Sequence, residues 1–189
     1  AGIRFQYILY AGIAGIVFVV IHMLTSGGGY RSSRLMSFLD PFADELGTGY
    51  QVVQGLYALA SGGFKGLGLG NSVQKTLYLP DPQNDFIFAI IGEELGYVGL
   101  LILLAAYMVL IWRCVRIALR APDTKGMLIA SGITIMLAVQ VLMNIMVVTA
   151  LIPPTGVTLP FISYGGTAIL LFLSAMGIMI NISRHERPE

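Results

Sequence analysis

Three acids crowd the entry to a long apolar run: Asp85, then Glu93 and Glu94, in "NDFIFAIIGEELGYVG" (84–99). A positioned carboxylate of this kind can take a proton from an attacking hydroxyl, and acids beside lipid are costly unless something holds them there. Two readings of Asp85 stand side by side. As a helix N-cap it would be tied to backbone N–H groups, with Asn84 as rival cap; as a carboxylate aimed into a cleft it would be available for chemistry. For Glu93 and Glu94 the expectation is structural, pairing with Lys or Arg from neighbouring spans. Gln140 and Asn144, four residues apart on one face of an apolar run, must find partners inside a helix bundle. His22 and His185 are far apart and Cys114 stands alone, so neither a zinc site nor an internal disulfide is expected, and no metal ligand is assigned.

The elements that carry these residues are membrane spans. The 189 residues are 56% hydrophobic and only 11% charged, with mean hydropathy +0.81, against about 25% charged in a soluble domain. The net charge of +1 comes with no basic stripe interleaved with aromatics, which sets nucleic-acid binding aside. Four apolar runs reach the roughly 20 residues a bilayer needs: 5–24, 86–112, 127–151 and 163–182, with a hydrophilic stretch at 25–85. The fold class is therefore an all-α integral membrane bundle of about four helices with a large structured loop, a single membrane domain forming the C-terminal part of a larger polytopic protein. Arg113, Arg116, Arg120 and Lys125 follow the second span, Arg184 and Arg187 the fourth, and Arg4 precedes the first. The positive-inside rule puts these, and both ends of the segment, on the cytoplasmic side of a plasma membrane. Loop 25–85 and the short 152–162 connection then face outward together.

Within the long loop, "GYQVVQGLYALASGG" (49–63) carries Val52, Val53, Leu56, Leu59 and Ala60 at helical spacing, an amphipathic helix lying on the membrane or on the protein. "GGFKGLGLGNS" (62–72) lacks both the Walker and the dinucleotide patterns and reads as a flexible or tightly turning loop, with a nest of N–H groups as the functional remainder. Counted down from Trp112 at about 1.5 Å per residue, Glu93 and Glu94 reach the outer edge of the hydrocarbon and Asp85 the headgroup level. If 86–112 is one helix, Ala89, Gly92, Gly96 and Gly99 lie within about 40° of Asp85, Glu93 about 80° away and Glu94 about 180°. Asp85 would then top a small-residue seam where another helix approaches. "LIPPTGVTLPFISYGGTA" (151–168), with three prolines and three glycines, is non-helical at membrane depth, which is tolerated where backbone is buried in protein or lines a cavity.

Two of these stretches, "YQVVQGLYALASGGFKGLGLGNSVQKTLYLPDPQNDFIFAIIGEELGYVG" and "PPTGVTLPFISYGG", occur in an order that resembles the SEDS proteins (shape, elongation, division and sporulation), nearest their FtsW and SpoVE branch. The resemblance runs from about Tyr30 to Ile182 and implies the last four of about ten spans. It further implies a peptidoglycan glycosyltransferase that polymerises glycan strands from lipid II outside the plasma membrane. The implied partners are a class B penicillin-binding protein, the transpeptidase, and other membrane proteins of the division or elongation machinery. The family's essential acid, directly before Phe-Ile-Phe, falls on Asp85. Glycosyl transfer from lipid II needs a base for the acceptor hydroxyl and cations or donors for the departing pyrophosphate. Lys75, with Gln74, Arg31, Arg34 and Lys65 of the same loop, are the candidates for the pyrophosphate. Ser163, Tyr164 and Thr155 could hydrogen-bond sugar or phosphate, and Gly165 and Gly166 would let substrate approach closely. The pyrophosphate can carry a divalent cation, but no Asp-x-Asp marks a ligand pair, and no cofactor is assigned. Two alternatives remain: a transporter that flips lipid-linked precursor, and a non-catalytic scaffold for a division partner.

Overall fold

The computed structural model describes residues 49–79 and 83–185 continuously, together with residues 10, 13–15, 17, 38, 40–44 and 47. Most of the first expected span, 5–24, and both Arg31 and Arg34 lie outside the described residues. Among the described residues the regular structure is all helical, without a strand. A 3-10 turn at Pro41–Asp44 precedes helix α1 (Tyr50–Gly62), a short α2 (Val73–Leu77), and three long helices, α3 (Ile87–Leu119), α4 (Thr124–Val148) and α5 (Gly166–Arg184). The last three are long and apolar enough to cross a membrane, with mean hydropathies of 2.3, 2.0 and 1.8 over their best windows.

The helices pack where small residues permit it. On α4, Gly126, Ala130, Thr134, Leu137, Val141, Asn144 and Val148 are buried at spacings of three and four, a single stripe along the whole helix. It meets α3, whose buried positions include Tyr107, Cys114 and Ala118. The amphipathic helix α1 lies on the protein: Val52, Val53, Gly55, Ala58 and Gly62 are buried, largely against the start of α3. Ala60, expected on its apolar face, is exposed, and Gly55 and Gly62 take the buried positions instead. The reason is steric. A Cβ at Gly62 would collide with the Gly92 carbonyl, and one at Gly55 would lie 2.7 Å from the Phe86 ring. The small-residue seam beneath Asp85 is thus occupied, in its upper part, by the loop's own helix.

The second expected span is not one continuous helix. Gly96, at φ 67° and ψ −169°, breaks α3 in its third turn. A broken helix leaves N–H and C=O groups that lipid cannot satisfy, and the glycine-rich loop after α1 satisfies them. Leu67 N–H donates to the Glu93 carbonyl (2.9 Å) and Gly68 N–H to that of Glu94 (2.9 Å), while Tyr97 N–H donates to Gly63 (2.9 Å) and Val98 N–H to Phe64 (3.4 Å). Gly66 and Gly96, both at positive φ, face each other so closely that a Cβ on either would strike the other's backbone. The stretch expected to be flexible or turning is therefore a fitted backbone clamp. The face calculation for Asp85, Gly96 and Gly99 fails with the helix, since it requires continuous α geometry through position 96.

Candidate active site

Asp85 is half-buried and sits just outside α3, whose N-cap is Phe86. Phe86 is fully buried, its ring against Gly55 of α1. The N–H groups of Ala89 and Ile90 both donate to the Phe86 carbonyl, at 2.9 and 3.3 Å, so helical bonding begins there. The Asp85 carbonyl instead accepts from Asn144 Nδ2 of α4 at 2.8 Å. Neither Asp85 nor Asn84 occupies the N-cap position.

The 152–165 segment comes to the same place. Tyr164 N–H donates to the Gln83 carbonyl at 2.8 Å, joining the "ISYGG" motif to the "NDF" motif. Four successive carbonyls ahead of that junction are satisfied. Val157 accepts from Asn144 Nδ2 (2.7 Å) and Thr158 from Gln140 Nε2 (3.2 Å). Leu159 accepts from Ser163 N–H (3.0 Å), and Pro160 from the Tyr107 hydroxyl (2.6 Å). These bonds are how a segment with prolines and left-handed residues, Phe161 at φ 66° among them, keeps its carbonyls satisfied between two apolar helices. The Phe161 ring stacks edge-on against Phe172 of α5, centroids 5.6 Å apart.

The sequence-predicted residues distribute unevenly around this junction. Ser163 is buried and its Oγ accepts from Leu159 N–H at 2.7 Å, so it holds the turn's backbone. Tyr164 is 77% exposed, and Thr155 and Gly166 are exposed with Gly165 half-buried. A Cβ at Gly166 would meet nothing within 4 Å, so nothing in the described chain demands glycine there. Lys75 and Lys65 are exposed. Gln74 is half-buried, its N–H 3.3 Å from Glu93 Oε1 and its own Oε1 buried without a hydrogen-bond partner among the described residues.

Glu93 departs from expectation. It is 1% exposed, and its carboxylate is held by neutral donors instead of a Lys or Arg partner. It accepts from the Ser72 hydroxyl and from the N–H of Val73 at 3.0 Å, capping α2. Ser72 Oγ in turn accepts from Lys75 N–H at 3.0 Å. A buried carboxylate can be held by neutral donors at a helix start, which charge-pair reasoning overlooks; the Asn-Ser before "VQK" was the available signal. Glu94 is half-buried, with Oε1 enclosed and without a hydrogen-bond partner among the described residues. Tyr107 was missed entirely, since an aromatic in mid-span reads as core. Beside the junction, an apolar cavity of about 350 Å³ opens between α1, α3 and α4, lined by Leu59, Gly92, Leu100, Leu104 and Ile145 among others. No group of three or more His, Cys, Asp or Glu residues that could hold a metal occurs among the described residues.

Comparison with known proteins supplies the rest. The FtsW/RodA/SpoVE family model, described as cell cycle protein, matches residues 1–188. Stage V sporulation protein E of Bacillus subtilis is 50% identical over 187 residues, 99% of this chain and 50% of its own. A probable peptidoglycan glycosyltransferase FtsW of Trichlorobacter lovleyi is 44% identical over 183 residues, 97% of this chain and 48% of its own. Among solved structures, one of a peptidoglycan synthase complex that coordinates polymerization and crosslinking superposes with TM-score 0.71 at 27% identity, covering 97% of this chain and 50% of that one. A point mutant of the Thermus thermophilus rod shape determining protein RodA gives 0.56 at 27% identity, over 85% of this chain and 58% of that one. The chain thus spans about half the length of the curated relatives it matches.

Proposed function

The chain belongs to the FtsW/RodA/SpoVE family of cell cycle proteins, a membrane protein family, and from that premise we propose that it forms the C-terminal half of a peptidoglycan glycosyltransferase that polymerises lipid II, with Asp85 as general base. The observation that carries the proposal is the meeting of two distant motifs at one acid. Residues 83–86 are held by Tyr164 N–H on Gln83, Asn144 on the Asp85 carbonyl, and the buried Phe86 ring. Asp85 stands at the lip of that junction, half-buried and outside the helix.

In this reading the Asp85 carboxylate takes the proton of the acceptor sugar hydroxyl as that oxygen attacks the anomeric carbon of the lipid-linked donor, and the donor's bond to pyrophosphate breaks. The departing pyrophosphate needs cations and hydrogen-bond donors. Lys75 is the first candidate, with Arg31, Arg34, Lys65 and Gln74 of the loop, and with Thr155, Tyr164 and the open backbone at Gly165–Gly166. A divalent cation on the pyrophosphate remains compatible with this arrangement, without a ligand set in the described chain. The apolar cavity between α1, α3 and α4 has the character needed by part of a lipid tail. The protein works in the bacterial plasma membrane, with both ends of this segment cytoplasmic and loop 25–85 outside, beside a class B penicillin-binding protein and other division or elongation proteins. A flippase would use polar side chains along its path. Gln140 and Asn144 are both engaged with backbone carbonyls, which favours the glycosyltransferase.

The test is polymerisation of purified lipid II by the full-length protein with its transpeptidase partner, wild type against Asp85→Asn. Loss of glycan product with folding and partner binding retained is the expected result. Full activity in the variant removes Asp85 as base, and inactivity of both proteins with the partner bound returns weight to the transporter or scaffold.

A further inference from the structure

We infer that Asn144 is the positioning residue for Asp85: its side-chain amide holds the acid's backbone out of helix α3 and locks it to the 152–165 segment. The inference rests on the reading of Asp85 as the base.

The geometry is specific. Were α3 one residue longer at its start, the Asp85 carbonyl would accept from Ala89 N–H, four residues on. Ala89 N–H donates instead to Phe86 (2.9 Å), one residue later, and the Asp85 carbonyl takes Asn144 Nδ2 (2.8 Å). The same Nδ2 donates its second hydrogen to Val157 (2.7 Å). Two carbonyl acceptors at one end of the amide fix its orientation, because the reversed amide would set oxygen against oxygen. Asn144 is fully buried, and its Oδ1 is enclosed without a hydrogen-bond partner among the described residues. An orphaned buried acceptor is costly, and here it accompanies an amide whose two donors are both committed to backbone. A mere packing role would be met by Leu of similar volume without that cost. One turn earlier, Gln140 makes a single bond to Thr158 (3.2 Å) and supplies the internal control: it anchors the same segment and does not touch residue 85.

Kinetics on lipid II with the full-length protein and its partner test this, using Asn144→Leu, Asn144→Asp, Gln140→Leu and Asp85→Asn. Asn144→Leu should lower kcat about 100-fold, the scale of a small misplacement of a reacting group, with KM changed by less than about twofold. Asn144→Asp is the same size and in its neutral form donates one bond in place of two, so it should fall between wild type and Leu. Gln140→Leu should stay within about threefold of wild type, since a simple anchor carries no direct coupling to the base. Equal losses in Asn144→Leu and Gln140→Leu overturn the inference, leaving Asn144 as a loop anchor. A wild-type kcat in Asn144→Leu beside an inactive Asp85→Asn overturns it alone. An active Asp85→Asn overturns the base assignment, and this inference with it. Where the Leu variant does not fold, Asn144→Asp carries the test: reduced kcat at unchanged KM supports the assignment, and wild-type kcat overturns it.

Discussion

Glu93 and Tyr107 show how single side chains stabilise backbone that has left regular structure. The Glu93 carboxylate gathers Ser72, Val73 and Gln74 into the start of α2. Glu93→Gln replaces one acceptor oxygen with an amide that faces N–H donors, and should cost about 1–3 kcal/mol, read as a lowered thermal midpoint of the purified full-length protein. Tyr107→Phe strips the donor from the Pro160 carbonyl and should cost about 1 kcal/mol in the same measurement, the smaller of the two effects. The polar residues themselves were legible in the sequence: Gln140 and Asn144 had to face inward, and they do. Their partners were not, because all of them are main-chain carbonyls, of the 152–165 segment and of the turn before α3, whose paths the sequence does not disclose. The Glu93 partnership was hidden for the same reason, across a sequence separation of twenty-one residues.

At the scale of elements, the second, third and fourth apolar runs coincide to within several residues with helices α3, α4 and α5. Hydropathy placed the end of the second at Trp112, where the helix continues to Leu119 with Arg116 lying 4.7 Å over the Trp112 ring. The break at Gly96 was invisible to it, since the chain is apolar on both sides and periodicity carries no information about a positive φ. The clue lay in the glycine spacing 63, 66, 68 and in Gly96 itself, each a weak signal alone. The paired backbone predicts that the amides of Leu67, Gly68 and Tyr97 exchange hydrogen slowly and as a group, despite lying in a glycine-rich loop and at a helix break. Gly96→Ala adds a left-handed strain of about 1–3 kcal/mol to a collision with Gly66, and should release all three amides together in hydrogen–deuterium exchange.

For the whole molecule, the share of each span's apolar window buried inside the described chain is only 11%, 28% and 17% for α3, α4 and α5. The described bundle leaves wide apolar faces uncovered, suited to lipid or to further helices, and the chain covers half the length of the relative from Bacillus subtilis. On the proposed reading the chain is one half of the polymerase, and half a polymerase is not expected to act alone. The 189 residues expressed alone should therefore give no glycan polymer from lipid II under conditions in which the full-length protein does, and product from the isolated segment would refute this. The all-helical class and family were legible from composition and two motifs. The close approach of those motifs was not, because it depends on how α4 sits against α3.

The four backbone bonds across the break in α3 act as a ruler. Residues 63 and 64 are read against 97 and 98, and 67 and 68 against 93 and 94. Inserting or deleting one residue between 64 and 67 would shift one pair against the other by about 3.5 Å, stranding carbonyls at the edge of the hydrocarbon. Loop length is thus as constrained as loop composition. Chimeras with a relative should tolerate exchange of 62–68 and 93–98 as a unit, and should accumulate poorly in the membrane when a loop of different length is moved by itself.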